Sequence, residues 1–297
     1  AQLYATRRDG DRGVGDFSTL AELARRAGAA GLATVAINPL HALFARQPER
    51  ASPYHPSDRR FLDPLYVDVD ALAPILGFDP GDAPAAPDEA TLIDYARIRA
   101  DKAAALARAH LAFLARRRLA PYSPAQTDFA RFVAAGGVAL WRFACFEAIA
   151  ARRPESDWRD WPAALARGEA EALADFARDH AQAIEAVLFQ QWLADRQLAA
   201  AAQAGRDAGL GLGIMHDLAV GAAPDGAESW AMQDQLVAGA SIGAPPDPFA
   251  ENGQIWTLPP PDPLAGRRDG HAALRDLLAA NMRHAGALRI DHVMGLS

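Results

Sequence analysis

Cysteine and lysine are nearly absent from this sequence. Cys145 is the only cysteine, which excludes an internal disulfide framework and fits a reducing compartment, so we expect a cytoplasmic protein. It lies in an apolar helical pattern, WRFACFEAIA, and we interpret it as a small buried hydrophobe. No signal-peptide pattern precedes the first loop, and no stretch reaches the roughly 18 uncharged apolar residues of a membrane span. We therefore expect no membrane partner.

Several functional classes lack their marker residues. The net charge is −7 and no basic stripe stands out, which argues against a nucleic-acid partner. The eight histidines show no HExxH or HxH spacing, and Cys145 has no second thiol with which to bind a metal. A G-x-S-x-G nucleophile elbow is missing, and DGDRGVGD is not a compact GxGxxG, which disfavours a nucleotide fold. We expect no metal and no organic cofactor.

The apolar segments alternate between strand and helix patterns. AQLYAT (1–6) predicts a short strand, TLAELARRAGAAGLA (19–33) an amphipathic helix and ATVAIN (33–38) a second strand. GLGIMHDLAV (211–220) and ALRIDHV (287–293) predict a third and a fourth strand, the last one after a helix at 270–285. This order predicts an α/β fold with a parallel sheet.

Long segments separate these strands. Residues 46–92 are rich in Pro, Asp and Ser, and residues 92–205 have helical patterns at about 92–119, 125–150 and 161–204. We therefore divide the chain into 1–45 (strands 1 and 2), 46–205 (a mostly helical insertion) and 206–297 (strands 3 and 4, with a long loop at 221–265). Polar clusters follow the strands, which is where parallel barrels place their chemistry; a doubly wound sheet obeys a similar rule.

Two polar clusters interrupt buried strands. Asp217 follows the apolar part of the third strand, so it either has partners in a cleft or caps a loop or helix. On the fourth strand Arg289 and Asp291 share one face by the period of two. An ionised carboxylate held by arginine suits a glycosidase nucleophile. A buried ion pair that only ties strands together is an equally good interpretation.

Aromatic and amide side chains are interleaved in the loop at 243–263. Phe249 and Trp256 suit the apolar face of a sugar ring, and Gln254 suits its hydroxyl groups; alternatively the loop packs its own aromatic residues. Tyr54, in SPY, has the same two interpretations, as a sugar-stacking residue or a loop plug. His41, in NPLHA, either points into a barrel mouth or satisfies a local backbone group.

Taken together, these blocks resemble a known family. LYATRRDGDRGVGDF, INPLHALF, ERASPYHPSDRRFLDPLYVDV, HDLAVG, GAPPDPFAENGQIW and GALRIDHVMGL occur in the order found in the 4-α-glucanotransferases, also called amylomaltases or disproportionating enzymes, of the α-amylase superfamily. The resemblance runs nearly from end to end. It implies a (β/α)8 TIM barrel, of which this chain has only the first half (strands 1–4), with a mostly helical insertion after strand 2.

The resemblance also implies an activity and a set of residues. The activity is transfer of a 4-α-glucan segment between maltooligosaccharides or to glucose, with retention, on substrates that include glycogen-derived dextrins. Asp291 matches the catalytic nucleophile and Arg289 its charge partner, while His292 and Asp217 match residues at the donor sugar. Four further residues match loop residues of the family that contact the glucan: Ser52, Tyr54, Gln254 and Trp256. We add Phe249, from the same loop as Gln254 and Trp256, as a candidate.

The sequence departs from the family pattern at four places. Asp63 stands where Asn is expected, Pro248 replaces an aromatic residue of some branches, and Thr257 stands where Gly often follows the Trp. The family's acid/base Glu and third carboxylate are expected after residue 297. We therefore expect a piece of a longer protein, inactive by itself. The alternatives are an α-glucan hydrolase of the same superfamily and a non-catalytic glucan-binding fragment.

Overall fold

A three-stranded parallel sheet forms the centre of the molecule. The computed structural model describes residues 1–82, 92–154 and 156–292. Its parallel strands are β1 (Thr34–Ala36), β4 (Gly213–Leu218) and β7 (Ala287–Ile290), in the order β1-β4-β7. β2 (His41–Ala42) and β3 (Asp58–Leu62) form an antiparallel pair, as do β5 (Ile242–Ala244) and β6 (Gln254–Leu258). The predicted parallel α/β arrangement is confirmed for three of its four strands.

The strand predicted at residues 1–6 is wrong. Leu3–Ala5 form a 3₁₀ helix. Ala1 alone makes strand-like main-chain bonds: its amine donates to the Ala36 carbonyl of β1, and its carbonyl accepts from the Asn38 amide at 3.2 Å. The cause is a competing side chain. The Leu3 amide donates to Asn38 Oδ1 at 2.7 Å, so it is lost to any strand ladder. The apolar pattern reflects the burial of Leu3, not a strand period.

Helices cover the sheet and make up most of the segment from residue 92 to residue 207. α1 (Phe17–Ala29) begins at Asp16, whose side chain accepts from the Thr19 amide. The helices between β3 and β4 are α2 (Ala73–Leu76), α3 (Tyr95–Leu119), α4 (Pro124–Ala150), α5 (Ala163–Ala166), α6 (Ala170–Asp179) and α7 (Ala181–Asp207). The helix predicted at 161–204 is therefore three helices, and α4 kinks at Gly137, where φ is 53°. The last helices are α8 (Ala227–Ala231), α9 (Pro263–Arg268) and α10 (Ala272–Met282).

One hydrophobic core joins the sheet to the helices between β3 and β4. α7 packs on α1 and α4, and Phe61 of β3 stacks on Phe143 of α4 with ring centroids 4.3 Å apart. Cys145 is fully buried in this core, as expected, and burial raises the pKa of its thiol to about 12. Helix α7 continues to Asp207, past the predicted boundary at 205/206, and shares the core with α1. The helical segment and the sheet therefore have a common core. The division at 45/46 and 205/206 stays a prediction.

Helix α4 is long and apolar enough to cross a membrane by length and composition, and it is the one such helix among the described residues. In the most apolar 18-residue stretch of this helix, 44% of the residues are buried inside the protein. Phe143, Ala144 and Cys145 belong to the core. Core helices pass the same test, so this is weak evidence for a membrane span.

Asp63 explains one departure of the sequence from the family pattern. It is buried before a 3₁₀ turn at Pro64–Tyr66, where its Oδ1 accepts from the Leu65 amide at 2.9 Å. Its second oxygen pairs with Arg99 Nη2 of α3 at 2.7 Å. A carboxylate fits where an amide is expected because this chain supplies the arginine that neutralises it.

Candidate active site

The ends of β4 and β7 bring the two polar clusters together. Asp217 lies opposite Arg289 in the parallel register of these strands. Arg289 Nη1 lies 3.8 Å from Asp217 Oδ2, and its Nη2 lies 3.5 Å from Oδ2 of Asp291, which directly follows β7. Arg289 therefore bridges the carboxylates of Asp217 and Asp291. As the period of two predicted, Arg289 and Asp291 lie on the same face of the strand. Both Arg289 and Asp291 keep about half of their side-chain surface exposed, at 57% and 52%.

Asp217 is the buried member of this group. Its side chain is only 6% exposed, and burial raises the pKa of its carboxyl against the opposing effect of Arg289 and of a hydrogen bond from Tyr54. The Tyr54 hydroxyl donates to Asp217 Oδ2 at 3.3 Å. Burial, followed by the charge of Asp217, raises the pKa of Tyr54, so the hydroxyl keeps its proton and remains a donor. Tyr54 is half-exposed and is not a buried loop plug.

His292 and Trp256 close one side of the cluster. Their rings meet edge to face with centroids 4.6 Å apart, and His292 Nδ1 lies 3.6 Å from Asp291 Oδ2. The Trp256 indole N–H donates to Gln254 Oε1 at 3.0 Å, which fixes the orientation of both side chains. The loop at 243–263 therefore reaches the carboxylates through Trp256.

Backbone strain occurs in the same place. His292 has φ of 49° and Thr257 has φ of 58°, in the left-handed region that favours glycine. For β-branched Thr257 this conformation is costly, whereas a glycine, which the resemblance often places at this position, adopts it without strain. Strained residues cluster at binding sites, where the surrounding structure holds them.

Two predicted residues lie further from the cluster. Ser52 contacts it only through the loop backbone, where its Oγ accepts from the Tyr54 amide at 3.4 Å. Phe249 is fully exposed at the turn between β5 and β6, and Asp247 Oδ1 accepts from its amide at 2.7 Å. Within the described part of the chain it has no hydrogen bond or ring contact with the other site residues.

The segment after β4 is held by residues that the sequence reasoning missed. Arg59 of β3 pairs with buried Glu228, and its Nη1 also donates to the carbonyls of Ala219 and Val220 at 3.2 and 2.9 Å. Burial acts to raise the pKa of Glu228, but the charge and hydrogen bonds of Arg59 outweigh it and lower the pKa. The signal in the sequence was Glu228 itself, an acidic residue two positions before Trp230 in the stretch GAESWA.

His41 supports the same segment. Its Nε2 accepts from the Ala219 amide at 3.2 Å, so His41 satisfies a backbone group, but one 178 residues away and not a local one. Burial lowers the pKa of His41 to about 3, so its ring is neutral and Nε2 remains an acceptor at ordinary pH. The backbone two residues beyond Asp217 is therefore fixed from β2 and β3 together.

The site is made of carboxylates, one guanidinium and aromatic rings. Across residues 1–82, 92–154 and 156–292, no group of three or more His, Cys, Asp or Glu side chains is arranged to hold a metal ion. The exposed carboxylate of Asp291, beside Arg289, can act as a nucleophile towards a sugar. The buried carboxylate of Asp217, beside Tyr54, can accept hydrogen bonds from sugar hydroxyl groups.

Comparison with known proteins identifies the class to which this site and fold belong. A family profile described as 4-alpha-glucanotransferase matches residues 1–297, and the chain belongs to that family. A 4-alpha-glucanotransferase from Mycobacterium tuberculosis (strain H37Rv) is 38% identical over 99% of this chain and 42% of its own length. Another, from Haemophilus influenzae, is 34% identical over 99% of this chain and 45% of its own length. The chain thus spans less than half the length of these relatives.

Solved structures agree with this assignment. The crystal structure of an amylomaltase from Corynebacterium glutamicum matches 99% of this chain and 40% of its own, with a TM-score of 0.78 and 29% identity. An amylomaltase from Streptococcus agalactiae, solved in complex with acarbose, matches all of this chain and 59% of its own, with a TM-score of 0.85. At 21% identity the second likeness shows the fold alone. The fold is that of part of an amylomaltase.

Proposed function

We propose that the protein transfers a 4-α-glucan segment between maltooligosaccharides, or from one of them to glucose, by a retaining double displacement. The observation that carries the proposal is the bridge formed by Arg289 between Asp217 and Asp291 at the carboxyl ends of neighbouring parallel strands. Membership of the 4-alpha-glucanotransferase family supports it. Glycogen-derived dextrins are natural donors of the same chemistry, and the proposed location is the cytoplasm.

In the first step Asp291 acts as the nucleophile. One carboxylate oxygen forms a bond to the anomeric carbon as the glycosidic C–O bond breaks, and the leaving oxygen takes a proton from a general acid. Arg289, with Nη2 3.5 Å from Asp291 Oδ2, fixes the attacking group. Asp217 and Tyr54 lie beside it, where they bind hydroxyls of the donor sugar.

In the second step an acceptor hydroxyl attacks the same carbon. Its proton passes to the general base, and the bond to Asp291 breaks, which restores the carboxylate and retains the anomeric configuration. Transfer requires that a glucan acceptor reaches the intermediate before water does. Trp256, with its edge-to-face contact with His292, is placed to cover Asp291 and to stack an acceptor ring. We assign Gln254, Ser52 and Phe249 to contacts with the glucan.

We further propose that β1, β4 and β7 belong to the first half of a (β/α)8 barrel and that residues 46–205 are an insertion after its second strand. The parallel order β1-β4-β7 supports this proposal, and so does the clustering of the polar side chains at the strand ends. The general acid/base is expected from the fifth strand of such a barrel. The described residues supply the nucleophile, its arginine and the donor-sugar contacts.

The test uses a donor whose leaving group needs no proton. An α-maltosyl fluoride releases fluoride when Asp291 attacks, so the first step is measured separately from general acid catalysis. We expect fluoride release and a glycosylated Asp291 peptide by mass spectrometry, both lost in Asp291→Asn. Asp234→Asn, at an exposed carboxylate outside the site, is the matched control. Equal fluoride release by the Asp291→Asn variant and the unaltered protein would refute the assignment.

Transfer is separated from hydrolysis by the products from maltotriose. Glucose together with maltooligosaccharides longer than maltotriose indicates transfer to a sugar. Glucose and maltose without longer products indicate transfer to water, which would overturn the transferase assignment in favour of a hydrolase.

A further inference from the structure

The carboxylate of Asp291 is held only by its own end of the strand. Among the described residues its polar partners are Arg289 and His292: the His292 amide donates to Oδ1 at 3.2 Å, and the two side chains lie 3.5 and 3.6 Å from Oδ2. Both partners belong to the same short segment as Asp291. The distance from Asp291 to Asp217 on β4 is therefore set by whatever fixes β7.

Strand β7 is attached to the sheet from one side. It pairs with β4, and its outer edge pairs with no strand among the residues that the structure describes. At its start the Gly286 amide donates to the Ile214 carbonyl at 2.8 Å, and a Cβ on Gly286 would overlap the carbonyl oxygen of Leu212. The turn before β7 thus passes in backbone contact with β4, and any shift of this turn moves the strand.

A buried carboxylate of α7 holds that turn. Asp195 is 5% exposed, and its Oδ1 accepts hydrogen bonds from Arg283 Nη1 and His284 Nε2, both at 2.9 Å. Arg283 and His284 come directly after α10 and within four residues of the start of β7. We name Asp195, Arg283 and His284 the Asp195 clamp. It is a second attachment for β7, from a helix that packs outside the sheet.

The clamp is charged, and its donors and acceptor are defined. Burial acts to raise the pKa of Asp195, but the hydrogen bond from His284 and the charge of Arg283 outweigh it and lower the pKa. An ionised carboxylate only accepts hydrogen bonds, so His284 Nε2 is the donor. Charge-assisted hydrogen bonds are shorter and stronger than neutral ones, so this contact fixes the place of the turn closely.

Helix α7 holds the neighbouring side of the site as well. Gln191, one helical turn before Asp195, pairs with both backbone groups of Leu62 at the end of β3: it accepts from the amide at 3.0 Å and donates to the carbonyl at 2.7 Å. β3 also carries Arg59, which binds the carbonyls that follow β4. Successive turns of one helix are therefore attached to β3, which supports the end of β4, and to the turn that leads into β7.

We propose that Asp195 is a positioning residue of the transferase site: through Arg283 and His284 it fixes the start of β7, and with it the distance between Asp291 and Asp217. The inference rests on the proposed function for the role of Asp291, whereas the attachment of β7 does not depend on it. Asp195 and Asp217 line a common cavity of only about 60 Å³, far below the roughly 300–1,000 Å³ of ligand pockets. A sugar ring does not reach Asp195, which acts through the strand.

The first test measures fluoride release from α-maltosyl fluoride, with kcat and KM determined separately. Asp195→Leu removes the clamp and fills the space of the carboxylate. We expect kcat to fall roughly 100-fold, because a misplacement of about 1 Å at a reacting group costs this much. KM should change little, because Asp217 and Tyr54 keep their contact. Expressed per folded molecule, with the folded fraction taken from the urea unfolding curve of each variant, kcat does not respond to a loss of stability alone.

Two variants at the same place separate the clamp from its surroundings. The amide oxygen of Asp195→Asn can still accept from Arg283 and His284, so this variant should recover most of kcat. Arg196→Gln is the matched control. Arg196 donates to the other oxygen of Asp195 at 3.0 Å and pairs with Asp128 of α4, and none of its hydrogen bonds in the described residues reaches the turn before β7. Its kcat should equal that of the unaltered protein.

The clamp can also be cut from the other end. Arg283→Ala with His284→Ala leaves α7 intact and removes both donors, so it should lower kcat as Asp195→Leu does. Adding Asp195→Leu to this pair should lower kcat no further, because the same contact has already been lost. Losses that simply multiply would show that the three residues act independently and would overturn the proposal.

Hydrogen exchange tests the attachment without any activity. The amides of residues 283–291 should exchange at least about tenfold faster in Asp195→Leu than in the unaltered protein, and at an unchanged rate in Arg196→Gln. Unchanged exchange in Asp195→Leu would overturn the proposal, and so would faster exchange with an unchanged kcat. Absence of fluoride release from the unaltered protein would count against the proposed function instead, and the exchange rates would then decide by themselves whether Asp195 fixes β7.

Discussion

Replacing Glu147 with glutamine should stabilise the protein, and the gain should grow with pH. The pKa of Glu147 is raised from 4.5 to about 8 by burial and by the charges of Asp63 and Asp58. Between these two pH values the unfolded chain has lost the proton while the folded protein keeps it. The folded protein therefore binds more protons, and its stability falls as pH rises through this window.

The magnitude follows from the width of the window. Each pH unit between 4.5 and 8 costs about 1.4 kcal/mol, so the penalty at pH 7 is roughly 3 kcal/mol. Glutamine has the same shape and no proton to lose, so Glu147→Gln should lack the penalty. Below pH 4.5 the glutamine variant and the unaltered protein should have similar stability.

Urea unfolding at pH 5, 6, 7 and 8 measures the difference directly. The free energy of unfolding of Glu147→Gln minus that of the unaltered protein should increase with pH at about 1.4 kcal/mol per unit. Glu171→Gln, at an exposed glutamate in the first turn of α6, is the matched control and should show a small, flat difference. A difference for Glu147→Gln that does not change between pH 5 and 8 would refute the reasoning, because Glu147 would then be ionised throughout.

Three further predictions concern stability and association. Thr257→Gly should raise the free energy of unfolding by about 1 kcal/mol in urea titrations, because it relieves the positive φ of a β-branched residue; a loss of stability would show that the threonine side chain is needed there. Asp63→Asn should lower the free energy of unfolding by about 3 kcal/mol in the same assay, because it leaves Arg99 buried without its counter-charge. The double variant Asp63→Asn with Arg99→Leu should recover part of this loss. An unchanged free energy of unfolding in Asp63→Asn would contradict the pairing. β7 lies at the edge of the sheet, and its outer side pairs with no strand in the described part of the chain. We therefore expect the protein to self-associate as its concentration rises, which size-exclusion chromatography measures. A compact monomer at every concentration would contradict this.

The elements that the sequence predicted well are those whose signal is local. The period of two in ALRIDHV predicted that Arg289 and Asp291 share a face, and the apolar runs predicted β1, β4 and β7. Asp217 could be suspected because a carboxylate at the end of a buried strand needs partners, but its contact with Tyr54 joins residues 163 positions apart. A local sequence pattern cannot reveal a contact between residues so far apart in the chain.

The failures have equally specific causes. AQLYAT has the composition of a strand, yet one side-chain oxygen of Asn38 takes the Leu3 amide and a 3₁₀ turn forms instead. Arg59 and Glu228, which fix the segment after Asp217, are 169 residues apart, so the apolar surroundings of Glu228 suggest a buried acid but not its partner. A cavity lined by Glu147 is likewise assembled from the loop after β2, from α4 and from the segment around Trp161, so it is visible only in three dimensions.

The pairing of Asp217 with Arg289 has a consequence for folding as well as for binding. In the observed register these residues are direct neighbours, with His216 opposite Leu288 and Leu218 opposite Ile290. A slip of β7 by one residue would place an aliphatic side chain next to Asp217 and leave a nearly buried carboxylate without its cation. The pairing of Asp217 with Arg289 therefore favours this alignment over a slip by one residue, and the charges proposed to bind the glucan also help to specify the register of the sheet.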